Sequence, residues 1–220
     1  MAIGAAGQPK VDALHLAQRS SNRPLDHGAL GHYRIGTSVN CLPTQVGGST
    51  LFSFRWGDAT RFCVIQSFKL TLLQAVTTGA WTTTQTMALQ ALKVSAFTAS
   101  DSGGIPGPFA VKRRASMPTS LVTDSRLSNA AAGITVGTRT VDSNGFQTLF
   151  GAGVAAAPTV VPYTMYGPIG DDHNDSNTHP FVLAQDEGFI VTWAATAIPA
   201  AGAAIMTLDM DWAEVTAYPG

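Results

Sequence analysis

Four places in the 220-residue sequence carry side chains of types and spacings that could do chemistry. The densest is residues 170–180, GDDHNDSNTHP. Oxygen ligands at alternate loop positions, here Asp171 and Asp175, suit Ca²⁺, and His173 with His179 would suit a transition metal. The segment lacks the glycine and distal glutamate of a helix-loop-helix calcium loop, and polar loops of this kind ordinarily form Asx turns facing solvent. The expectation is a solvated loop, with no metal and no cofactor. The second place is the only basic run, Lys112, Arg113 and Arg114. Such a run can neutralise phosphates or pair with acidic residues of another subunit. A formal net charge of -1 supplies no attractive field for a polyanion, so a subunit contact or a solvated strand end is expected in place of nucleic-acid binding.

Asp209 and Asp211 are the third place. Paired carboxylates can do acid/base work or cleave glycosides, but these two are spaced as neighbours on the outer side of an amphipathic strand, where carboxylates simply face water. The fourth is Trp81, set in a run of threonines and read as an exposed aromatic; with Trp56 and Tyr163 it could form a sugar-stacking platform. No Gly-x-Ser-x-Gly elbow, phosphate-cradling glycine loop or His-Glu-x-x-His helix occurs, and the five histidines are dispersed. The chain is therefore expected not to be an enzyme.

The elements that must position these residues are strands. Only two glutamates occur, Glu187 and Glu214, and lysine is scarce, while Thr, Val, Phe and Gly abound. Residues 61–73 place Phe62, Val64, Phe68, Leu70 and Leu72 on alternate positions interrupted at Gln66, and 87–97 resume with Leu89, Leu92, Val94 and Phe97. These two segments are expected to form a hairpin. Phe189, Val191 and Trp193 share one side of a later strand, and Met206, Leu208, Met210 and Trp212 alternate with polar residues in the last. Strands of this number, without βαβ alternation, predict an all-β antiparallel sandwich with jelly-roll topology.

Residues 1–50 read differently. Scattered Pro and Gly, at Pro9, Pro24, Gly28 and Pro43, predict an extended N-terminal arm holding at most a short helix over 11–18 and a first strand over 30–38. The body is then 51–220. Cys41 and Cys63 could be bridged, but two cysteines do not make a disulfide framework, and ordinary reduced thiols are expected. No signal peptide or membrane-spanning segment is expected from the apolar runs.

Charged residues make up only 12% of the chain, about half the average share, so the surface is dominated by small and hydroxyl side chains. Charge normally keeps small proteins apart, and its scarcity predicts that partners cover much of this surface. The runs WGDATRFCVIQSFKLTLLQAV (56–76) and EGFIVTWAAT with AAIMTLDMDWAEV (within 187–215) resemble virion structural proteins of tailed bacteriophages. The resemblance covers the strand-rich body. It implies a many-copy capsid decoration, cement or minor capsid protein, assembled in the host bacterial cytoplasm and residing in the virion. Its partners would be the major capsid protein and copies of itself, as a homotrimer or homodimer. A receptor- or glycan-binding module of a tail or fibre is the alternative.

Overall fold

The fold is built from alternation: nearly every long strand sends one side chain in two into a shared interior. The structure, a computed structural model, describes residues 29–41, 46–75, 85–107, 109–128, 133–153, 162–167, 181–194, 198 and 203–217. Within them run β1 (Ala29–Cys41), β2 (Thr50–Trp56), β3 (Phe62–Ala75), β4 (Gln85–Phe97), β5 (Ser102–Gly103), β6 (Ile105–Pro106), β7 (Val111–Lys112) and β8 (Val122–Leu127). They are followed by β9 (Ile134–Thr135), β10 (Arg139–Gly153), β11 (Pro162–Gly167), β12 (Phe181–Leu183), β13 (Gly188–Trp193) and β14 (Ala203–Val215). Every pairing among them is antiparallel.

One sheet has the order β11-β3-β14-β1-β7, with β12 also on β3; the other runs β10-β4-β13-β2-β8-β6. Strands β1, β2, β3 and β4 alternate between the sheets, as do β12, β13 and β14, which is the double wrapping of a jelly roll. The two sheets bury a common core. Phe54 and Phe189 of one sheet meet Phe68 and Trp212 of the other, with Phe54 to Trp212 at 5.6 Å and Phe68 to Phe189 at 5.3 Å between ring centres, both edge-on. Trp56, Trp193 and Trp212 are all fully buried, and edge-on rings of this kind add to the area they remove from water.

Three expectations are corrected by this arrangement. First, residues 29–41 are not arm. Tyr33, Ile35, Val39 and Cys41 alternate into the core, and β1 pairs along β14 from Ala29 to Cys41. The strand expected over 30–38 is present, but Gly36, Ser38 and Asn40 on its outer face and Thr37 among its inward positions hide that it is a core strand of the body. The body therefore includes β1, and of the expected arm only residues 1–28, which lie outside the described residues together with the expected helix over 11–18, are left to precede it.

Second, β3 and β4 are not a hairpin. They belong to opposite sheets and do not pair with each other. Third, Phe62 and Val64 do not share a face with Phe68. Asp211 lies opposite Ser67 while Trp212 lies opposite Ile65, which leaves Gln66 as the extra residue of a β-bulge. One extra residue inverts the facing. Cys63 and Ile65 therefore enter the main core ahead of the bulge, and Phe68, Leu70 and Leu72 after it. Val64 turns outward and is buried with Ala213 and Val215 in a small second cluster.

Candidate contact surfaces

The sequence between β4 and β10 is an insertion that fastens both sheets along one side of the sandwich. It adds β8 and β6 beyond β2, and β7 beyond β1, so a single segment extends the two sheets on adjoining edges. Its base is tied by a buried ion pair: Arg139 donates to Asp101 and, at 2.7 Å, to the Thr50 hydroxyl, while the Gly137 amide donates to the other Asp101 oxygen at 2.8 Å. The two side chains are 6% and 1% exposed. Burial alone would weaken the charge on Arg139, and Asp101 opposes that effect.

Residues 113–121 then strap across from β7 to β8. The Arg113 amide donates to the His32 carbonyl at 3.1 Å, the Tyr33 hydroxyl to the Pro118 carbonyl at 3.0 Å, and the Ser120 hydroxyl and Leu121 amide both to one oxygen of Glu214, at 2.7 and 3.0 Å. Glu214 is 1% exposed, an inward carboxylate on the same face of β14 as Trp212. Burial raises its pKa, opposed by the hydrogen bonds from Ser120, Leu121 and Trp212 and by the charge of Arg61. Tyr33, stacked on Trp212 at 5.6 Å, is pushed up to about 12, first by burial and then by the negative charge of Glu214.

The basic run sits at the start of this strap. Lys112 closes β7, and Lys112, Arg113 and Arg114 are all exposed. Arg113 reaches back to Asp211 of its own chain at 2.7 Å, while its side chain stays half open to solvent. Asp211 also accepts from Ser67 at 2.9 Å, and Asp209 pairs with Arg34 at 3.3 Å. Both carboxylates therefore lie on the outer face of β14, as their spacing predicts, and each faces a guanidinium.

Trp56 is fully buried and donates to the Arg61 carbonyl at 2.9 Å, so it cannot join a sugar platform. Tyr163 lies on β11. Trp81 and the candidate metal ligands Asp171, His173, Asp175 and His179 lie outside the described residues. Cys41 and Cys63 are both buried free thiols; burial pushes Cys41 up to about 12 and Cys63 well above the usual thiol range, so neither is a ready nucleophile. Among the described residues no cluster of His, Cys, Asp and Glu could hold a metal ion, and no helix is long and apolar enough to cross a membrane.

Sequence reasoning passed over Glu214 and the Asp101–Arg139 pair. The first had a signal: continuing the inward period Met206, Leu208, Met210, Trp212 lands on Glu214. The second had none, because the partners are 38 residues apart and meet only when the insertion closes. Comparison with protein-family models, with curated proteins and with solved structures gives no match.

Proposed function

We propose that this chain is a structural component of a phage virion, of the capsid decoration, cement or minor capsid type, that works by contact and carries no catalytic centre. The observation that carries the reading is the jelly-roll strand order, an architecture used by viral capsid subunits. Three further features favour it. The surface has few charges to keep copies apart. The potentially catalytic carboxylates Asp209 and Asp211 are each engaged by an arginine. Both thiols are buried in the core. The partners on this reading are the major capsid protein and further copies of the chain, met through the outer sheet face, the strap with its exposed Lys112 and Arg114, and the segment 1–28.

Jelly rolls also serve as lectin domains, which keeps a glycan- or receptor-binding module as the second reading. Mass spectrometry of purified particles produced in the host that carries the gene separates the two from a non-virion role. A shell component appears in many copies per particle and shows no saturable signal on a glycan array. A tail-borne receptor module appears in few copies and binds glycan, and absence from particles overturns both.

A further inference from the structure

The edges of the two sheets are not treated alike. A bare strand edge is a template for another chain, and β proteins usually blunt it with lysine, proline, bulges or very short strands. Here β6 ends in Pro106, β7 carries Lys112, β11 opens on Pro162, and β10 is broken by register irregularities between Thr140 and Gln147. Two stretches carry none of these devices, residues 147–153 of β10 beyond its irregularities and the second half of β1, and the hydrogen-bonding phase of the latter is fixed by its neighbour. β7 pairs only with Tyr33 and Arg34, and among the described residues no strand continues along Ile35–Cys41. That stretch has no charge, no proline and no bulge. Its outward side chains, Gly36, Ser38 and Asn40, are small and exposed, while Ile35, Val39 and Cys41 are buried.

The phase of the open edge follows from the closed part. His32 directs its carbonyl at β7, where it accepts from Arg113, so by alternation Gly36, Ser38 and Asn40 turn their backbone N–H and C=O groups to the same side. We propose that this edge pairs with the same edge of a second copy, antiparallel about a twofold axis at Ser38, so that the two six-stranded sheets continue into one. In that register Ser38 faces Ser38, Gly36 faces Asn40 and Ile35 faces Cys41. Every outward amide and carbonyl of the three residues finds a partner, and no like charges meet. β7 blocks the edge at Arg34 and fixes the register, because a partner strand has room only as far as Ile35. The proposal deepens the reading of the chain as a self-associating shell component, by naming the edge and register through which copies meet.

The test uses the purified full chain at high concentration and reads association without reference to any particle. The opposed Ser38 Cα atoms would lie about 5.5 Å apart across the axis. Thr71, in the same row two strands further in, would lie roughly 25 Å from its copy at about 4.8 Å per strand. On a denaturing gel, a short bismaleimide should therefore join Ser38→Cys into covalent dimers and leave Thr71→Cys and the wild type without a cross-link. In sedimentation, Ser38→Lys and Ser38→Glu alone should each dimerise about fivefold more weakly than wild type, since like charges face across the pair, and an equimolar mixture of the two should recover. Melting curves of both variants check that the exposed substitution leaves the fold intact. A wild type that sediments as a monomer, equal cross-linking of Thr71→Cys, or a mixture no better than its components would overturn the proposal. Presence of the chain in particles together with any of these results would leave the virion reading standing and remove only this interface.

Discussion

Glu214 shows how one side chain can hold a crossing together and still oppose folding at neutral pH. Its carboxylate accepts from Ser120 and Leu121 on the strap, but burial raises its pKa above that of the unfolded chain. A group shifted upward contributes stability that is fully present below the unfolded value, about 4.3, and is lost as pH rises through the folded value. Glu214→Gln keeps an oxygen for both donors and removes the ionisation. Denaturant titrations from pH 4 to pH 8 should show wild-type stability falling relative to the variant as pH rises. Parallel curves would mean that Glu214 titrates as in water. Asp101 behaves in the opposite sense, because its loss strands a buried guanidinium. Asp101→Ala should lower the unfolding free energy by about 3–5 kcal/mol in urea titrations, and a change below 1 kcal/mol would show that Arg139 finds water on its own.

At the scale of elements, the bulge at Gln66 decides which side of β3 faces inward. Because Gln66 is the residue without an opposite number on β14, removing it should leave Ile65 opposite Trp212 and Ser67 opposite Asp211 with every facing preserved. A Gln66 deletion is predicted to fold with a loss of about 1–2 kcal/mol, whereas deletion of Thr71 inverts the facing of the strand end and should yield insoluble protein. Circular dichroism and soluble yield of the two deletions check this directly; equal behaviour would contradict the assigned register. The same bulge explains what the sequence made legible. Periodicity identified β3, β4, β13 and β14 and the outward position of Asp209 and Asp211, because those signals are local. It put Phe62 and Val64 on the wrong face, since a bulge conserves composition while inverting phase. It also joined β3 to β4 as a hairpin, because proximity in sequence carries no information about which sheet a strand enters.

For the whole molecule, the insertion between β4 and β10 closes one side of the jelly roll and leaves part of β1 open. The insertion was not readable from the sequence, because β6, β7 and β9 are two-residue strands without periodicity; a strand over 30–38 was, but its membership of the core was hidden by the small outward residues Gly36, Ser38 and Asn40. A body with few charges, a fastened side and an open strand edge on β1 is suited to meeting copies of itself and a shell. Cryo-electron microscopy of particles from the host that carries the gene decides whether the chain is a contact-making virion component. A two-sheet density of this fold is expected in regular, repeated positions on the shell. Particles whose density is fully explained by other proteins, with this chain left in the particle-free lysate, would contradict it.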